Sequence, residues 1–194
     1  MRPSIGLFCS ASDHLPQNAC ELAAEFGRLA AEQGVRIVYG GSARGLMGIA
    51  ARAAHAAGGD VLGFMVEALS VREQANAHIG VLHHVPTLDD RKRAFAECSD
   101  AFVALPGGIG TLDEITEMLT LDDIGAQHKP MILCDNDGFW DPFFAMLERF
   151  DAYGVLRASI KHDLLRARGA AEALAHCARL VPRAGQAGAQ GLLR

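Results

Sequence analysis

The clearest candidate chemistry lies in Leu105-Pro106-Gly107-Gly108-Ile109-Gly110-Thr111-Leu112-Asp113-Glu114-Ile115-Thr116-Glu117, which follows the most apolar run of the chain. Three glycines and a threonine where a helix begins form a nest of N–H groups suited to an oxyanion, with the Thr111 hydroxyl as a further donor. A dinucleotide fingerprint wants a third glycine where Asp113 stands, so the stretch argues poorly for NAD. Asp113 and Glu114 have a plain explanation as carboxylates that complement the helix dipole. Two carboxylates beside a phosphate nest would still repel an anionic ligand, so one of them must face an uncharged or cationic part of it.

A second glycine cluster, Tyr39-Gly40-Gly41-Ser42-Ala43-Arg44-Gly45-Leu46-Met47-Gly48, also follows an apolar run and opens a helix. It has neither the Gly-Lys-Ser/Thr of a Walker loop nor GxGxxG spacing. Gly40, Gly41, Ser42 and Gly45 make it a possible nucleotide loop; a tight strand-to-helix turn explains the same residues equally well. Positive charge comes from Asp89-Asp90-Arg91-Lys92-Arg93. Alone this is a solvated helix start; beside a glycine nest it is a phosphate and base clamp, since Arg offers a rigid donor fork and Lys a point charge.

These stretches need a scaffold, and the pattern around them supplies one. Short apolar runs at 4–9, 35–39, 60–65, 79–85, 101–105 and 131–134 alternate with helical patterns at 16–33, 45–57, 91–98, 111–121 and 140–153. Residues 66–78 read as irregular and polar, 164–167 as an edge strand and 170–180 as a last helix. Such alternation predicts an α/β fold with a doubly wound, mainly parallel sheet, Rossmann-like, in one domain over 1–181 with a flexible tail at 182–194. Ligands in these folds bind outside the carboxyl ends of the strands, where both glycine clusters fall. His83 and His84 are expected to point to opposite faces of their strand, one into the core and one to the surface.

Composition narrows the options further. The 194 residues include no apolar run near the roughly 18 to 20 that a spanning helix needs, so no membrane association is expected. Net charge is −5 from 18 Lys and Arg against 23 Asp and Glu. That balance argues against nucleic acid as a partner, and any anion must be held locally. Glycine, at 21 residues, exceeds the roughly 14 that average usage of about 7% predicts. Five cysteines, an odd number without a CxxC pair or a secretory signal, read as buried thiols of a cytoplasmic protein. Eight histidines show no HExxH or Cys/His spacing, so no metal site is expected.

Taken together, Tyr39-Gly40-Gly41 with Gly45-Leu46-Met47-Gly48, Arg91-Lys92, and Pro106-Gly107-Gly108-Ile109-Gly110-Thr111-Leu112-Asp113-Glu114 resemble the LONELY GUY (LOG) family of cytokinin riboside 5′-monophosphate phosphoribohydrolases, often labelled lysine decarboxylases. The likeness runs over about residues 5–153. It implies hydrolysis of the N-glycosidic bond of an N6-modified AMP to free base and ribose 5-phosphate, without a cofactor, by a homodimer. It also implies Arg91 and Glu114 as the catalytic pair, and Lys92, Gly107, Gly108, Gly110, Thr111, Leu112 and Asp113 as substrate-binding residues, with Glu73 and Thr120 as outlying binding positions. Leu88-Asp89 stand where many relatives have Met-His, Ser42 replaces a third glycine, Cys9-Ser10-Ala11-Ser12 replaces a Cys-Gly-Ser-Ser start, and Ile109 replaces an aromatic. These departures bear on the identity of the base more than on the reaction.

Cleaving a ribosyl bond passes through an oxocarbenium-like state, which a carboxylate beneath C1′ stabilises while orienting water. Competing readings are a general purine or pyrimidine nucleotide nucleosidase, a nucleotide or molybdenum-cofactor carrier that needs no Arg91 and Glu114 pairing, and a DNA-processing protein. Lysine decarboxylation is disfavoured because no lysine sits in a context suggesting a pyridoxal phosphate Schiff base. The segment 138–144 serves either a subunit interface or the core face of a late helix.

Overall fold

In the computed structural model, which describes residues 2–180, seven strands pair side by side, every pairing parallel. They are β1 (Ser4–Phe8), β2 (Arg36–Tyr39), β3 (Val61–Val66), β4 (Val81–Val85), β5 (Ala101–Ala104), β6 (Met131–Cys134) and β7 (Leu164–Ala167). Their order across the sheet is β4-β3-β2-β1-β5-β6-β7. The chain therefore winds outward from β1 in one direction, then returns to start again at β5. The expected 182–194 tail lies outside the described residues.

Among the described residues the eight α-helices are α1 (Gln17–Glu32), α2 (Gly45–Ala56), α3 (Ser70–Glu73), α4 (Leu88–Cys98), α5 (Ile109–Asp123), α6 (Asp141–Ala152), α7 (Ala158–Asp163) and α8 (Ala170–Leu180). Alternate residues of the central strands feed two separate cores, as strand geometry requires. Ile5, Leu7, Ile37 and Tyr39 pack with α1, α2 and α8 on one face. Phe8, Val38 and Phe102 pack with Phe95 of α4, Ile115 of α5, Phe143 of α6 and Ile160 of α7 on the other. No helix of the described residues is long and apolar enough to cross a membrane.

Three readings of the sequence need correction. The segment at 66–78 is not wholly irregular, since it holds a 3-10 turn (Glu67–Leu69) and α3; α7 is also an element that its short polar sequence did not announce. Helix α4 starts three residues earlier than the 91–98 reading: Thr87 accepts from the Asp90 N–H at 3.1 Å, and Asp89 and Asp90 sit in the first turn, where the dipole favours them. His83 and His84 are both exposed, because β4 is an edge strand with neither face well covered. All five cysteines are free, with Cys9, Cys134 and Cys177 buried and Cys20 and Cys98 half-buried. Segment 138–144 is divided: Trp140 and Phe143 are in the core, while Phe139 is exposed.

Candidate active site

Because the winding reverses between β1 and β5, the loops leaving these two strands diverge around a crevice at the carboxyl edge of the sheet. They are tied across it by the Ser10 N–H, which donates to the Pro106 carbonyl at 3.2 Å. The early start of α4 places Arg91 one turn before Phe95 on the helix's buried face, so the guanidinium is carried inward toward this crevice. There its Nη2 donates to Glu114 Oε1 at 3.1 Å. Glu114 lies in the second turn of α5, and its side chain is only 4% exposed.

Glu73, at the end of α3, completes the group, with its Oε2 4.0 Å from Arg91 Nη1. Arg91 Nε and Nη1 and Glu73 Oε2 are buried without a hydrogen-bond partner among the described residues. Leaving such donors unmade costs about 1–3 kcal/mol each, which marks a fork held ready for an acceptor from outside the protein. Burial pushes the Glu114 carboxyl up to about 7, against the opposing pull of the Arg91 charge and with smaller contributions from Asp113 and Glu73. Burial, assisted by the nearby Glu114, also raises the Cys9 thiol well above its ordinary value.

The start of α5 stands open beside this pair. Gly108 occupies its N-cap without a side-chain cap, and the N–H groups of Gly108, Ile109, Gly110 and Thr111 have no acceptor among the described residues. A side chain at Gly107 would come 2.1 Å from Thr111 Oγ1, so the glycine lets that hydroxyl tuck against the loop. Gly108 and Gly110 have no atom within 4 Å on the side where a Cβ would sit, which leaves the approach to the N–H groups clear. This is the geometry of an anion site.

The other glycine cluster does a different job. At the start of α2 the Gly45 N–H reaches Asp13 Oδ1 at 3.4 Å, those of Leu46 and Met47 reach the Ser10 carbonyl at 2.9 and 3.4 Å, and that of Arg44 reaches Ser42 Oγ at 3.1 Å. Arg44 also pairs with Asp13 and holds its carboxyl below the usual range. These donors at the head of α2 are therefore taken within the protein. A Cβ on Gly40 would lie 3.6 Å from Arg91 Nη1, so this glycine backs the guanidinium directly. Ser42, fully buried, donates to the Glu73 carbonyl at 2.8 Å, while the Asn76 N–H donates to the Gly41 carbonyl at 2.8 Å. The loop thus fixes the segment that carries Glu73.

Three further expected residues are placed less centrally. Lys92 is bound by Asp113 at 3.3 Å and by Glu117, which together raise its pKa, so its charge is engaged outside the Arg91–Glu114 pair. Leu112 packs against the aromatic core. Thr120 is exposed further along α5, with its hydroxyl on the Thr116 carbonyl, and is not brought to the pair. Sequence reasoning missed Cys9, Gly40 against Arg91 and the bracing role of Ser42. Only the rule that strand ends line the crevice pointed toward them.

Residues 47–177 match the family model described as "Possible lysine decarboxylase". The chain is 33% identical over 178 residues to the cytokinin riboside 5′-monophosphate phosphoribohydrolase LOG of Oryza sativa subsp. japonica, covering 92% of this chain and 74% of that one. It is 35% identical over 164 residues to the cytokinin riboside 5′-monophosphate phosphoribohydrolase of Rhodococcoides fascians, covering 84% and 82%. Among solved structures, the molybdenum cofactor carrier protein of Chlamydomonas reinhardtii superimposes with a TM-score of 0.71 at 22% identity, covering 93% of this chain and 98% of that one, a likeness of fold. With its glycine nest, its buried Arg91–Glu114 pair and relatives this similar over most of its length, the chain belongs to the LOG family.

Proposed function

We propose that this protein hydrolyses the N-glycosidic bond of a cytokinin riboside 5′-monophosphate, an N6-modified AMP, to free base and ribose 5-phosphate. The observation that carries the reading is a buried carboxyl raised to about 7, 3.1 Å from a half-satisfied guanidinium and next to an open helix N-terminus. The 5′-phosphate sits on the N–H groups of residues 108–111 with the Thr111 hydroxyl, and this remote binding energy positions the reacting carbon. Glu114, once ionised, stabilises positive charge developing at C1′ and orients the attacking water. The free Nε and Nη1 of Arg91 hold the sugar-phosphate or the purine and counter negative charge as the base departs.

The lysines argue against a decarboxylase. A Schiff-base lysine needs a lowered pKa, whereas Lys92 is raised by carboxylates, Lys129 donates to the Ala96 carbonyl and Lys161 pairs with Asp151. A carrier of the same fold does not need the Arg91–Glu114 pairing. We further propose one domain over the described residues, cytoplasmic residence, and a homodimer that covers exposed apolar side chains of α6 and its flanks, among them Phe139, Met146, Phe150 and Tyr153. The deciding experiment offers AMP, isopentenyl-AMP and the other common monophosphates and identifies the released base and ribose 5-phosphate. Preferential cleavage of the N6-modified nucleotide is expected. Equal cleavage of AMP would make the protein a general nucleotide nucleosidase, and no ribose 5-phosphate from any substrate would exclude the enzyme.

A further inference from the structure

At the opposite edge of the sheet, where β6 and β7 begin, one buried carboxylate oxygen lacks a partner. Asp122, in the last turn of α5, has a side chain only 4% exposed; His128 Nδ1 lies 3.2 Å from its Oδ1, and its Oδ2 is buried without a hydrogen-bond partner among the described residues. Asp163, at the junction of α7 and β7, brings a carboxylate oxygen to the same point, so that ligand atoms of Asp122, His128 and Asp163 all lie within 4.8 Å of one another. We propose that these three residues bind a zinc ion.

The ligand set and spacing suit it. One imidazole nitrogen and two carboxylate oxygens are a mixed donor set that favours zinc over magnesium or calcium, which take oxygen ligands. Ligand atoms roughly 2.0–2.2 Å from a tetrahedral zinc lie on the order of 3.3 Å apart, close to the observed 3.2 Å between His128 and Asp122. A dication also offsets two adjacent carboxylates, one of which carries a buried, unpartnered oxygen. With the His128 side chain 72% exposed, solvent reaches the site to fill the remaining position.

The three segments are held in place independently of any ion. Gln127 Nε2 donates to the Met118 carbonyl at 3.0 Å and Lys129 donates to the Ala96 carbonyl, fixing the loop on both sides of His128. Arg157, at the N-cap of α7, donates to the Asp123 carbonyl at 2.8 Å and tethers α7 to the end of α5. His162 Nδ1 lies 2.8 Å from Asp163 Oδ1, the outer contact that typically orients a carboxylate ligand. The ligands stand six and 35 positions apart in sequence, which no zinc motif resembles. Asp122 is eight residues beyond Glu114, about 12 Å along the helix, so the ion acts as a clip on α5 and not in the hydrolytic site.

The test uses the full chain, stripped with a chelator and desalted. Titration with Zn²⁺ by calorimetry should show one equivalent bound, and zinc should raise Tm by several °C while Mg²⁺ at the same concentration does not. His128→Ala, at an exposed position that does not endanger folding, and the isosteric Asp122→Asn should each weaken binding by about tenfold or more and remove the Tm increment. Absence of zinc binding to the wild type, unchanged affinity in His128→Ala, or equal stabilisation by Mg²⁺ would each overturn the assignment.

Discussion

The two glycine-rich loops have the same outline and opposite endings. Each leaves a buried parallel strand, turns on glycines and starts a helix, yet the donors at the head of α2 are met by Ser10, Asp13 and Ser42, while those at the head of α5 meet nothing among the described residues. The difference arises from what lies opposite. The stretch leaving β1 folds over α2 so closely that a Cβ on Gly45 would lie 2.5 Å from the Ser10 carbonyl oxygen, whereas nothing stands within 4 Å of the corresponding side of Gly108. A glycine cluster at a helix start is therefore an anion site only where the rest of the fold withholds its own acceptors.

The comparison can be broken most severely at the residue the open loop serves. Glu114→Gln should lower turnover by about 10²–10⁴-fold in an assay of ribose 5-phosphate release. In the wild type the ionised carboxylate is the working form, so kcat/KM should climb with pH through about 7 and level off above it. A profile that falls through this range would reverse the role given to Glu114.

Next come the glycines themselves. Gly45→Ala places a side chain against backbone at φ +56°, and should cost roughly 3 kcal/mol or more, a fall of about 10 °C in Tm, with KM for the nucleotide unchanged in the folded fraction. Gly108→Ala should do the reverse, leaving Tm within about 1 °C while raising KM for the 5′-monophosphate about tenfold by crowding the nest. Equal effects of the two substitutions on KM would erase the distinction between closed and open loops.

The last effect is on stability. The Glu114 carboxyl keeps its proton to about 7 when folded but only to about 4.3 when unfolded, so between those values the folded state binds more protons and loses stability as pH rises. Glu114→Gln carries no such penalty. Its Tm should match the wild type below about pH 4, exceed it increasingly up to about 7, and stay higher above that, as paired thermal unfolding at pH 5 and pH 8 would register.

Much of this was legible beforehand. The apolar runs marked the five central strands most plainly, because parallel strands buried on both faces need unbroken apolar sequence, while β4 and β7 lie at the edges. Arg91, Glu114 and the 107–111 turn stood out by residue type and spacing, and all three meet at the crevice. Other features carried no local mark. The charged run at 89–93 reads as a solvated face; a hydroxyl cap from Thr87 shifts the helix start, and Arg91 turns inward while Lys92 goes to Asp113 and Glu117. Ser42 looked like a substituted glycine, and its use as a brace for Glu73 depends on a residue 31 positions away.

Sequence alone determined the α/β alternation, the placement of chemistry after strands and the family resemblance, because these rest on local periodicity and residue type. Only the tertiary structure decided which glycine loop is open, how far Glu114 is raised, and that Asp122, His128 and Asp163 share a corner. Each of these is set by burial and by groups distant in sequence: desolvation shifts a carboxyl, and an acceptor across the crevice closes a nest. No window along the chain contains that information.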